Sequence, residues 1–179
     1  DLLNEHILVT YFCIKVFETL SDSSIHLSHS LNSESGVKFF NEIFRPTVLR
    51  ITNKDDIDPI DSSISLPETF QRMKFITENL YYEAIHYAKK LAFIDILLPY
   101  EGSLCDYLDF MYPILSGLSK YPAFSKGTIY LLIDDAHRLT ETQTRILNTW
   151  VSTRTSRDVS LKVSTQYNYK TIYTITGET

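Results

Sequence analysis

Glycine is scarce: five in 179 residues, at Gly36, Gly102, Gly117, Gly127 and Gly177. None is followed by Lys-Ser or Lys-Thr, so the sequence holds no G-x-x-x-x-G-K-[ST] loop to cradle phosphates. Cysteine is scarcer, with Cys13 and Cys105 alone in apolar stretches. Two isolated cysteines exclude a disulfide framework or a cysteine-rich zinc site and read as buried, reduced thiols. No apolar run approaches the ~20 residues that span a bilayer, and no signal peptide is visible. Both point to a cytoplasmic protein away from membranes. Basic excess is missing too. With 17 Lys and Arg against 22 Asp and Glu, the net charge is −5. That balance does not support a broad nucleic-acid footprint.

What is present is an ordinary apolar share (44%) and many aromatics, with 12 Tyr and 10 Phe. This is enough for one sizeable core. Residues 2–20 read as a helix, with Leu3, Ile7, Tyr11, Ile14 and Phe17 at three- and four-residue spacing. The Ser-rich stretch 21–36 reads as a loop. A short helix over 37–51 is expected to break near Pro46, and 52–63 is an acidic loop. Ser65 and Glu68 have capping-box spacing, and Met73, Ile76, Leu80, Ala84, Tyr87, Leu91 and Ile94 form one stripe behind them. The aromatic run 80–87 reads as core. Ser103, with Asp106 at the third position, is expected to open a helix over 103–118.

The pattern then changes. "TIYLLID" (128–134) is a continuous β-branched and apolar run, as in a strand buried on both faces of a parallel sheet. Thr140 and Gln143 form a second capping box for a helix ending near Arg154. "VSLKVST" (159–165) and "KTIYTIT" (170–176) read as two further strands. Lys162 is out of place in a central strand, where both faces should be apolar. Strand–helix–strand implies a right-handed crossover between parallel strands. The fold class is therefore α/β: a partial parallel sheet behind a largely helical N-terminal block.

Asp134 and Asp135 end the first of these strands. Two carboxylates in one crevice repel unless a cation or a proton donor joins them. The carboxyl end of a strand is where open α/β sheets bind ligands. Mg²⁺ prefers oxygen ligands and keeps waters while touching a phosphate. Asp134 then suits the metal, and Asp135 suits the water that attacks a γ-phosphate. The alternative is that both simply leave the strand and cap a turn.

"IYLLIDDAHRLTETQTRILNTWVSTRTSRDVSLKVSTQ" (129–166) resembles the Walker B to sensor 1 segment of AAA+ ATPases. It is most similar to the bacterial proteins grouped with origin-recognition-complex-like AAA+ ATPases. The resemblance is specific over 128–179 and faint over 1–22. It implies a P-loop NTPase core that binds ATP and Mg²⁺ and couples hydrolysis to conformational switching or assembly. It implies Mg²⁺ at Asp134 and water activation at Asp135, where the family more often has Glu. Sensor 1 falls among Ser164, Thr165 and Gln166, with Thr165 first. Arg154 and Arg157 are candidate arginine fingers, or else complement the dipole of the helix they follow. The expected organisation is one internal fragment of an AAA+ domain: core helix 1–22, helical insertion 23–120, and Walker B strand, helix and sensor 1 strand over 121–179. Expected partners are ATP and either further copies or another protein. The alternative is a degenerate, non-hydrolysing interaction module whose acids are structural.

Overall fold

A computed structural model of the chain describes residues 1–27, 32–53, 57–93, 98–121, 127–153 and 157–179. Its longest elements are two 26-residue helices, α1 (Leu2–Leu27) and α4 (Leu66–Leu91). They lie antiparallel. Lys74 Nζ meets Glu18 at 3.0 Å, Gln71 donates to Ser21 Oγ at 2.8 Å, and near the other end the His6 ring meets Leu80 O at 3.1 Å. The expected capping box starts α4: Ser65 N–H donates to Glu68 and Glu68 N–H donates back to Ser65 Oγ. Met73, Leu80 and Ala84 of the expected stripe are buried, whereas Tyr82 is exposed, so the run 80–87 is core only in part. Ile94 lies outside the described residues.

The Ser-rich stretch is more helical than its composition suggests. Helix α1 continues to Leu27, and α2 (Ser33–Phe39) begins beyond an Asn32 cap that accepts from Ser35 N–H. The expected break near Pro46 is a π-turn, Phe40–Phe44, running directly into α3 (Arg45–Thr52) with Pro46 in its first turn. A second π-turn, Tyr107–Met111, feeds α5 (Tyr112–Ser119), again with a proline, Pro113, just inside. Here the expected start at Ser103 is corrected. The cap is Asp106, which accepts from Leu108 and Asp109 N–H, while Asp109 accepts from Asp106 N–H. Cys105 N–H is already committed to His6 Nδ1 at 3.1 Å, which holds this approach to the helix against α1.

His6 joins three segments. Its Nε2–H donates to the Leu80 carbonyl, so Nδ1 is the bare nitrogen that accepts from Cys105 N–H and sits 3.2 Å from Cys105 Sγ. Both cysteines are buried and unbonded to one another, as expected. Burial lowers the pKa of His6, against smaller opposing effects of the Leu80 carbonyl and Glu83. The neutral form is therefore the folded form. A histidine with a lowered folded pKa leaves stability intact above its unfolded value of about 6.5 and erodes it as pH falls below. The urea midpoint is expected to drop between pH 7.5 and pH 5.5, and His6→Gln to flatten that part of the profile. Equal slopes for the two proteins would refute the assignment.

The sheet has two parallel strands among the described residues, β1 (Ile129–Ile133) and β2 (Val159–Val163), paired Ile129 to Val159 through Ile133 to Val163. Helix α6 (Glu141–Ser152) is the crossover, opened by the Thr140–Gln143 capping box. Its Ile146, Leu147 and Trp150 are buried. The other regular elements among the described residues are helices.

Two expectations about this sheet are corrected. First, β1 is not buried on both faces: Ile133 is buried, but Tyr130 and Leu132 are 56% and 75% exposed. Lys162 stands opposite Leu132 on that open face, with Nζ 5.6 Å from the Tyr130 ring centre, which accounts for a charge in this strand. Second, 170–176 is not a strand. Asn148 Nδ2 donates to the carbonyls of Thr171 and Tyr173, and Thr174 N–H donates to Glu178 O. The segment's polar backbone is spent on α6 and on its own turn, at Gly177 with φ 86°.

Candidate active site at the carboxyl end of the sheet

The end of β1 is clamped by Ser164. Its N–H donates to Ile133 O at 2.8 Å, and its carbonyl accepts from Ala136 N–H at 3.0 Å. The same residue's hydroxyl donates to Asp134 Oδ1 at 2.5 Å, where Asp135 N–H also donates at 2.8 Å. These donors, the hydroxyl first, hold the Asp134 carboxyl below the usual carboxylate range. Asp134 Oδ2 takes no hydrogen bond from the described residues.

Two like charges can sit side by side here because the backbone turns between them. Asp135 has φ 56° and ψ 34°, the left-handed conformation that aspartate tolerates better than bulkier residues. This sends its carboxylate over the 3₁₀ turn Ala136–Arg138 rather than along Asp134. Arg138 Nη2 lies 3.4 Å from Asp135 Oδ2, and His137 Nδ1 lies 3.9 Å from Oδ1. His137 Nδ1 is buried and has no hydrogen-bond partner among the described residues. An unpaired buried nitrogen costs about 1–3 kcal/mol. Sequence reading passed over His137 and Arg138; the available signal was a basic pair two and three residues beyond Asp135. Both acids and Arg138 open on a cleft of about 390 Å³, walled by Ile7 and Tyr11 of α1 and Tyr81 of α4.

Of the other candidates, Thr165 is beside the site in sequence but its hydroxyl donates to Gln166 O at 3.1 Å. Ser164 is the residue that reaches Asp134. Arg154 lies outside the described residues. Arg157 lies at the opposite, amino end of β2. The described residues hold no cluster of three metal-ligating side chains.

The donor set suits a hard cation. One oxygen of an ionised carboxylate is free at a strand end, with a hydroxyl beside it, and Mg²⁺ characteristically takes one or two such carboxylates together with phosphate oxygens. No glycine-rich Lys-Ser/Thr loop that could cradle phosphates is present among these 179 residues.

A family model described as ORC-CDC6-like matches residues 1–179. The chain belongs to the ORC-CDC6-like family. The match covers the helical block as well as the sheet, and relates the whole chain to AAA+ ATPases. No curated protein and no solved structure matches it. No helix among the described residues is long and apolar enough to cross a membrane.

Proposed function

We propose that this chain carries the Walker B and sensor 1 elements of an ATPase that hydrolyses Mg-ATP and uses the cycle to drive a conformational switch or assembly. The observation that carries the reading is the Asp134–Ser164 pair at the carboxyl end of a parallel sheet, with Asp135 turned into the adjoining cleft. Asp134 would hold the metal through water, and Ser164 and the Asp135 amide keep that carboxylate ionised and oriented. Bound Mg²⁺ offsets the charge of the β- and γ-phosphates. Asp135 orients the attacking water and accepts its proton. Ser164 acts through Asp134, to which its one hydroxyl proton is committed. Thr165, at the end of β2, supplies the polar contact to the γ-phosphate by turning its hydroxyl away from Gln166 O, and Arg154 supplies a cation to it. The amides that cradle the phosphates come from outside these residues, from the same protein or a partner. A site completed in this way suits a protein that works by self-assembly or with a protein partner.

The absent phosphate loop favours a second reading, a non-hydrolysing interaction module in which the two acids are structural. Calorimetry of the intact protein separates them. Mg²⁺-dependent ATP binding is expected, abolished by EDTA and weakened at least about tenfold by Asp134→Ala. Wild-type protein that binds no Mg-ATP would overturn the ATPase and leave the interaction module.

A further inference from the structure

We propose that His137 is a positioning residue for Asp135, donating from Nδ1–H to Oδ1 while Arg138 holds Oδ2. This rests on the ATPase reading for its role in turnover, but not for its geometry. Asp135 has one carboxylate oxygen facing each basic group, at 3.9 Å from His137 Nδ1 and 3.4 Å from Arg138 Nη2. The Arg138 side is anchored in the backbone as well, since Arg138 N–H donates to Asp135 O at 2.9 Å. The His137 side is left open, and its Nδ1 is a buried polar atom without a partner among the described residues. Buried nitrogens are almost always paired. The acceptor that faces it is Asp135 Oδ1, a few tenths of an ångström beyond hydrogen-bond reach.

The backbone of the turn is held in place. Ala136 is buried and its N–H is tied to Ser164 O. The Asp135 backbone is locked in the left-handed region. Rotation of the Asp135 side chain is the remaining freedom, and closing the His137 contact removes it. A carboxylate held at both oxygens presents its remaining lone pairs in one direction, which is what orienting a water requires. Aspartate reaches less far than glutamate, so a fixed direction matters more here.

The tautomer tests this without nucleotide. His6 must carry its proton on Nε2, because Leu80 O accepts from that nitrogen. His137 is expected to carry its proton on Nδ1. Nitrogen-15 spectra of the intact protein distinguish the two forms, and His137→Asn identifies the resonance. In Asp135→Gly, which keeps the left-handed backbone and removes the acceptor, His137 should revert to the Nε2–H form. A wild-type His137 already in the Nε2–H form would overturn the proposal. Turnover gives a second test. His137→Leu should lower kcat roughly ten- to a hundredfold with KM for Mg-ATP unchanged. His137→Asn, which places an N–H near the Nδ1 position, should recover most of it. A kcat for His137→Leu equal to wild type would also overturn it. Wild-type protein without ATPase activity would instead refute the ATPase reading, and the tautomer would still decide the contact.

Discussion

Asp135→Asn is expected to lower Mg-ATP turnover by the intact protein by about 10²–10⁴-fold while leaving nucleotide affinity nearly unchanged. Asparagine matches aspartate in size and tolerates the left-handed backbone at this position, where φ is 56°. The turn and its amide contact to Asp134 therefore survive. What is lost is the basicity that takes a proton from water and the charge that Arg138 faces at 3.4 Å. That ion pair is solvated, with the Asp135 side chain 40% exposed, so its removal has little effect on stability. A variant that binds Mg-ATP normally but hydrolyses it slowly is the signature of this role. Undiminished turnover would assign the attacking water to another group, and weakened binding with normal kcat would place Asp135 in ground-state contact instead.

Phe44→Ala carries the largest expected cost to the fold. Phe44 is fully buried in the first π-turn, between the rings of Phe17 on α1, edge-on at 5.4 Å, and Phe40 at 5.5 Å. Truncation removes the ring and leaves a cavity in well-packed surroundings, a loss of about 3–5 kcal/mol. A domain is stable by only about 5–15 kcal/mol, so the urea midpoint should fall by about 1–3 M. A loss below about 1 kcal/mol would mean that α1 and α3 are not joined through this ring. The experiment also asks whether the helical block and the sheet share one core. If they do, near-UV signal from Trp150 on α6 disappears in the same transition as helix circular dichroism.

Elements with redundant local signals were legible in the sequence. Ser65 and Thr140 each announce a helix by a cap and a matching third residue, and the stripe behind each confirms it. The β1 run is β-branched and apolar, and it is a strand. Where one signal stood alone, tertiary contacts overrode it. Ser103 has capping spacing, but Cys105 is held by His6, and the helix opens at Asp106 instead. The 170–176 run has strand composition, but Asn148 takes two of its carbonyls. Full burial of β1 was inferred from composition, which reports what a strand prefers and not what covers it. At the candidate site, the two acids were legible because like charges at the end of an apolar strand need a reason. The roles proposed for each were expected from the sequence, but the geometry that separates them was not, because it depends on one left-handed residue and on Ser164, 30 positions from Asp134. His137 and Arg138 were missed because a histidine and an arginine after a strand carry no signal until a carboxylate is turned toward them.

The two π-turns set a rotational phase. Successive α-helical residues advance by about 100° around the axis. The wide turn at Phe40–Phe44 is therefore what aims Thr47 and Val48 of α3 inward after Phe39 of α2 has done the same. The turn at Tyr107–Met111 likewise precedes the inward-facing Ile114 and Leu115 of α5. Each is followed by a proline, whose missing N–H removes one demand for a regular α-helical hydrogen bond. In each place the chain resets its angular register without leaving the helix, so two separate apolar faces meet one core without an intervening loop.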